Sequence, residues 1–160
     1  MIYIQWDLGC GKRPRGNVNI TLINNQSVES IDYLDSYLEP YGFIYSKDNI
    51  VQLIDLNSTD FTHYLQDNKS EEDRFLMAHV IEHVNYPYQL LELIYPCMLI
   101  LVAPNCYHSN VDSIDKEHIW SFNEYTLYNL LKRIGYNIIN IQKIDNNEDL
   151  LAIATTLDVY

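Results

Sequence analysis

Apolar residues fall in short blocks separated by turn residues, and the blocks switch between strand and helix periods along the chain. Ile2 to Trp6 (IYIQW) is β-branched and aromatic and stops at Asp7-Leu8-Gly9-Cys10-Gly11, which predicts a buried strand entering a tight turn. Asn17 to Ile23 (NVNITLI) reads as a second strand. Ile31, Leu34 and Leu38 then recur at helical spacing until Pro40 stops them. Ile50 to Leu56 (IVQLIDL) is a third strand running into Asp55, Thr59 to Gln66 a short helix, and Asp67 to Asp73 a polar loop. Arg74 to Ala78 begins a fourth strand.

Pro87 suits a first helical turn, Leu90, Leu91 and Ile94 share one face, and Pro96 ends that helix. Met98 to Ala103 is continuously apolar, as expected of a central strand covered on both faces. Ser121 and Glu124 have capping-box spacing, with Trp120 and Tyr125 placed as a staple and Gly135 as the stop. Asn137 to Ile144 and Leu150 to Thr156 flank an IDNNED turn and read as an antiparallel pair. The alternation predicts an α/β fold: a largely parallel sheet with helices on both faces, closed by a C-terminal hairpin.

With 160 residues, one domain over 1–160 is expected. Ten basic residues against 22 acidic ones leave a formal charge of −12, a field that repels polyanions and argues against general nucleic-acid binding. Cys10, Cys97 and Cys106 are an odd set without CxxC spacing, so neither a disulfide framework nor a thiolate zinc site is expected, and the expected compartment is cytoplasmic. The longest apolar run is too short for a bilayer, and no membrane association is expected. Tyr and Asn are abundant, which assigns no mechanism.

In an open parallel sheet, ligands sit beyond the carboxyl ends of the strands near the point where strand order reverses. Asp7, Gly9, Cys10 and Gly11 follow the first strand there, Asp55 and Leu56 end the third, Ala78, His79, Glu82 and His83 follow the fourth, and Pro104-Asn105 the fifth. A dinucleotide fingerprint would need a third glycine where Pro14 stands, and no Walker pattern exists, so NAD and ATP are disfavoured.

These blocks carry a resemblance. DLGCGKRP followed by NVNI, IDL at 54–56, AHVIEHV at 78–84, LVAPN at 101–105 and DKEHIWSFNEYTLYNLLKRIGY at 115–136 occur in the order found in small class I S-adenosylmethionine-dependent methyltransferases of the type-11 group, which the chain resembles over nearly its whole length. The resemblance implies a Rossmann-like seven-stranded sheet, mostly parallel, with an antiparallel last strand inserted, and S-adenosyl-L-methionine across the strand ends. It places Asp7, Gly9, Cys10 and Gly11, with Ala78 and His79, at the cofactor's methionine moiety, and Asp55 with Leu56 at its adenine. Three departures stand out. The acid usual at the end of strand two is replaced by Thr21, Asn24 or Asn25; the fifth-strand leader has shrunk to Tyr95-Pro96-Cys97; and no helix precedes strand one to cover the cofactor, which leads us to expect a homodimer or a partner subunit.

Methyl transfer from a sulfonium needs alignment and, for a hydroxyl acceptor, a base. His83 and His118 are the candidate bases, oriented by Glu82, for O-methylation of a small molecule, a sugar or a side chain. Some relatives bind a divalent metal through an ExxEH run and a downstream His; the matching set here would be His79, Glu82, His83 and His118, whose imidazoles favour zinc, iron or nickel over magnesium. No metal is expected as the primary reading. Two rivals remain: a non-catalytic subunit with the same fold, and an HxxEH zinc hydrolase, which would require residues 79–83 to lie on one continuous helix.

Overall fold

The computed structural model describes residues 2–10, 14–21, 33–45, 50–106 and 118–156. A seven-stranded sheet is built from β2 (Trp6–Leu8), β3 (Val18–Thr21), β5 (Ile50–Leu53), β6 (Arg74–Ala78), β7 (Met98–Pro104), β8 (Ile138–Ile144) and β9 (Asp149–Thr155), in the order β5-β3-β2-β6-β7-β9-β8. Six strands run in one direction, five of them as consecutive parallel neighbours. The hairpin strand β9 inserts antiparallel between β7 and β8, with Ile100 opposite Ile153 and Leu101 opposite Ala152. The strand order reverses between β2 and β6, as the expected architecture requires.

The first predicted strand is in fact two. Ile2–Tyr3 (β1) pairs with Phe43–Ile44 (β4) in a separate two-stranded sheet, and the chain re-enters the main sheet at Trp6. Periodicity could not show this break, because Ile4 is fully buried while belonging to neither strand.

Strand alternation sorts the core into two layers. Leu99, Leu101 and Ala103 of β7 face one way, with Leu8, Phe75, Met77 and Ala152, against α2 (Thr59–Asn68), α3 (Pro87–Ile94) and α4 (Glu124–Ile134). Met98, Ile100 and Val102 face the other way, against α1 (Leu34–Leu38) and Phe43. Each fully buried Leu of α4, Leu127 and Leu131, contributes about 2 kcal/mol by leaving water. That helix is capped by Asn123, whose side chain accepts from Thr126 N while the Thr126 hydroxyl accepts from Asn123 N, so the capping box sits two residues beyond the Ser121–Glu124 spacing. Ser58 caps α2 by accepting from Phe61 N at 3.2 Å.

The tyrosines of the second layer have a common task. The Tyr33 hydroxyl donates to Asp149, Asp145 N donates to the Tyr37 hydroxyl at 3.2 Å, and Asn140 Nδ2 donates to the Tyr41 hydroxyl at 3.2 Å. Three rings spaced four residues apart thereby fasten the α1 segment to the β8–β9 hairpin. No helix among the described residues is long and apolar enough to cross a membrane.

Candidate functional site

Two groups of predicted residues meet at the carboxyl ends of the strands, on either side of the point of reversal. On the β2 side, Asp7 is buried and one of its oxygens accepts from Arg15 N at 3.0 Å. Burial pushes this carboxyl up to about 7, an effect only partly offset by the Arg15 amide and charge. Burial, with Asp7 nearby, likewise pushes the Cys10 thiol up to about 12. Gly9 turns with φ +77°, and a Cβ there would lie 2.2 Å from Val80 Cγ2. The amides of Gly9 and Cys10 both donate to Ile20 O, at 2.7 and 3.1 Å. Asp55 is exposed and accepts from Asn57 N at 2.9 Å; Leu56 borders a cavity of about 100 Å3 shared with Val84 and Tyr86. Gly11 lies outside the described residues.

The β6 side is organised differently. Ala78 is the last residue of β6, and the backbone then turns sharply, with His79 in the left-handed region at φ +54° and residues 81–83 forming a turn. The five residues from His79 to His83 therefore form no helix, and the HxxEH hydrolase reading fails on this point. His79 Nε2 lies 3.0 Å from Asp149 Oδ2, and because a carboxylate only accepts, the proton resides on the ring. Burial pulls the His79 pKa down, but the Asp149 hydrogen bond and charge, with Glu82 and Asp145 behind them, leave it raised overall.

Glu82 is 1% exposed, and neither of its carboxylate oxygens has a hydrogen-bond partner. Burial raises its pKa, against the opposing influence of its own backbone amide, His79 and His83. Its Oε1 lies 3.8 Å from both His79 Nδ1 and His83 Nε2. The His83 and His118 rings meet edge to face at 4.6 Å. His118 is carried there by its chain neighbours, since Ile119 N and Trp120 N both donate to Glu82 O, at 2.8 and 3.2 Å. Among the described residues, one ligand atom each from Glu82, His83 and His118 lie within 4.8 Å of one another. His79 is not in that group, so the four-residue metal set shrinks to three.

Sequence reasoning missed Asp149 and Tyr33. Asp149 was read as the last residue of a turn, yet it opens β9 opposite Pro104 and lies buried against His79. The available signal was register: an acid facing the end of β7 across an antiparallel pair is carried to the carboxyl edge of the parallel strands. Tyr33 had no such signal.

Beside the cluster, a cleft of about 610 Å3 runs between the start of α3 and the outer side of α4. Trp120 forms part of its wall, held by a 2.8 Å bond from its Nε1 to Val84 O. None of the expected cofactor residues lines it.

No family model and no curated protein matches the chain. Solved structures do. An S-adenosylmethionine-dependent methyltransferase from Archaeoglobus fulgidus aligns over 96% of this chain and 85% of its own, at 17% identity and a TM-score of 0.58. One from Aquifex aeolicus aligns over 98% and 82%, at 13% identity and a TM-score of 0.60. A chain from the Haloferax volcanii complex between the Trm112 methyltransferase activator and a methyltransferase aligns over 97% and 82%, at 10% identity and a TM-score of 0.62. The chain thus has the class I, Rossmann-like methyltransferase fold, which its strand order shows independently.

Proposed function

We propose that the chain is an S-adenosylmethionine-dependent methyltransferase acting on a hydroxyl group, with its chemistry at Glu82, His83 and His118. The observation that carries this reading is the buried, unpartnered Glu82 carboxylate between histidines at the carboxyl end of β6, within a class I fold. A charge held out of water without a partner is costly, and such sites are where function resides.

The β2 side fits the cofactor. The molecule has no phosphates, so it needs no helix N-terminus; it needs bare backbone, an acid for its ribose hydroxyls and a slot for its adenine. Gly9 offers the first, and Asp55 with the cavity beside Leu56 the third; for the second, the usual strand-two acid is replaced by Thr21, Asn24 or Asn25. Asp7 and Cys10 flank the Gly9 turn, Gly11 follows them in sequence, and Ala78 with His79 close the far side. The Gly9 and Cys10 amides are committed to Ile20, so contact there is made by bare Cα surface. When bound, the cofactor supplies an electrophilic methyl group. The protein aligns the acceptor oxygen with it, a ring nitrogen of His83 or His118 takes the hydroxyl proton, and Glu82 balances the imidazolium that results.

A specific observation also favours a divalent cation held by Glu82, His83 and His118. At 3.8 Å, the Glu82–His83 separation is too long for a hydrogen bond and close to that of two ligands each about 2.1 Å from one ion. Such an ion would polarise the acceptor oxygen, and imidazole ligands favour zinc or its neighbours over magnesium. Calorimetry with S-adenosylhomocysteine tests cofactor binding, and no heat from the wild type defeats the reading. Dialysis against a chelator then separates the two roles. Unchanged turnover assigns the histidines as bases; lost turnover with cofactor binding intact assigns them as ligands.

The non-catalytic alternative predicts cofactor binding without turnover on any hydroxyl acceptor. A partner subunit is supported by edge strand β5, where Ile50, Val51 and Leu53 are each roughly half exposed on a strand that, among the described residues, pairs with β3 alone. The net charge of −12 disfavours a second copy there and favours a basic partner that adds a strand.

A further inference from the structure

The cleft between α3 and α4 contains chemistry that the methyl-transfer cluster does not use. Its upper wall joins that cluster: Asn85 and Tyr86 follow His83 by two and three residues, and Trp120 follows His118 by two. Trp120 is fixed from behind by its bond to Val84 O and remains 43% exposed, while Tyr86 is 68% exposed. Two exposed aromatic side chains lining one cleft, one of them fixed in place, offer apolar faces on which a ring can stack. The cleft is also lined by Gln89 and Asn129, whose carboxamides can both donate and accept.

The far end is marked by Arg133, an exposed guanidinium with no ion pair among the described residues. Seven residues of α4 separate it from Thr126 at the upper end of the cleft, about 10 Å at 1.5 Å per residue. In a chain with ten basic residues against 22 acidic ones, an unpaired cation lining the cleft selects for an anion.

We propose that this cleft is the acceptor site and that the acceptor is a carbohydrate bearing an anionic group, carboxylate or phosphate, at the end of the molecule remote from the hydroxyl that is methylated. The C–H faces of a sugar ring lie on Trp120 and Tyr86, its hydroxyls bond to Gln89 and Asn129, and its anion pairs with Arg133. The assignment as acceptor rests on the methyltransferase reading; the binding site itself does not.

The two tryptophans make the test direct, because Trp6 is buried and Trp120 is not. Intrinsic fluorescence of the full chain is titrated with neutral hexoses and disaccharides, with the matching uronic acids, and with sugar phosphates, to about 10 mM. The expected result is saturable quenching that is lost in Trp120→Phe, with acidic sugars binding about fivefold more tightly than neutral ones, the range of a partly exposed ion pair. Arg133→Gln should remove that preference and leave neutral-sugar affinity unchanged. Preference for carboxylate or for phosphate identifies the anion. The proposal is overturned if no sugar quenches Trp120, if Arg133→Gln retains the preference, or if sedimentation shows a second copy occupying the cleft in a dimer that Tyr86→Ala dissociates. S-adenosylhomocysteine calorimetry on the same sample keeps the readings apart: cofactor binding without sugar binding sinks this proposal, and sugar binding without cofactor binding sinks the methyltransferase.

Discussion

The strand ends on the two sides of the reversal point differ in how they use their polar groups. Beside β2, almost everything is spent on the protein itself: the Gly9 and Cys10 amides go to Ile20 O, Asp7 accepts from Arg15 N, and Asn19 bonds to both Gly16 N and Gly16 O. Beside β6, Glu82 keeps both oxygens unspent in a buried position. One side is built as a support and the other holds its capacity in reserve. Damage on the first should therefore be read as lost folding, and damage on the second as lost chemistry.

The largest effect is expected from Gly9→Val. A β-branched residue at φ +77° and a Cβ 2.2 Å from Val80 should together cost about 3–5 kcal/mol, visible as a large fall in Tm. Adding Val80→Ala should recover the steric share and leave the backbone share. Full recovery would show that Gly9 is there for packing alone.

Asp7→Asn comes next. The folded-state pKa of Asp7 is raised from 3.8 to about 7, so the folded protein holds that proton more tightly than the unfolded chain does. Its contribution to stability is full below about pH 4 and is lost as pH rises to about 7. Asn keeps an acceptor for Arg15 N and has no charge to bury. Denaturant melts across pH 4–7 should show the variant gaining on the wild type by up to about 4 kcal/mol. A constant difference would mean that Asp7 ionises freely in the fold.

On the opposite side the signs should split. Glu82→Gln removes a buried carboxyl that makes no hydrogen bond and whose ionisation burial opposes, so stability should rise by about 1–2 kcal/mol while methyl transfer falls about 100-fold. Falls in both would make Glu82 another support and erase the contrast between the two sides. Smaller effects belong to the tyrosine fastening: Tyr37→Phe and Tyr41→Phe should each cost about 0.5–1 kcal/mol without altering cofactor affinity. The smallest is Val51→Lys on β5, expected to leave Tm unchanged and to reduce capture of a strand-adding partner in sedimentation.

The same contrast governs how much could be read in advance. Elements whose signal is local were legible: Pro87 at the start of α3, Gly135 at the end of α4, and the continuous apolar run of β7. The cap of α4 was misplaced because Ser121/Glu124 and Asn123/Thr126 both satisfy capping spacing, and only the backbone decides between them. Strand order came from resemblance, since periodicity says nothing about which strands are neighbours. Within the site, Glu82, His83 and His118 were legible as chemistry-bearing residues, whereas Asp149 was not, because its partner His79 is 70 residues away and only the β7–β9 register joins them. The abundance of tyrosine acquired a meaning only once the hairpin was seen to hang from Tyr33, Tyr37 and Tyr41.

The link between β2 and β3 spans only residues 9–17, nine residues, where a parallel crossover ordinarily takes a dozen or more. Brevity of this kind sets an order of assembly. Each doubling of a loop adds about 0.6 kcal/mol to the entropy of closing it, so this parallel pair closes more cheaply than β7 with β9, whose ends are separated by residues 105–148. Pulse-labelled hydrogen exchange during refolding should find the amides of Trp6–Leu8 and Val18–Thr21, and the β9 amides paired across the short hairpin to β8, protected before the β9 amides that pair with β7. The support would then be in place before β9 docks on β7 and brings Asp149 to His79, and the reactive edge would be the final part of the molecule to form.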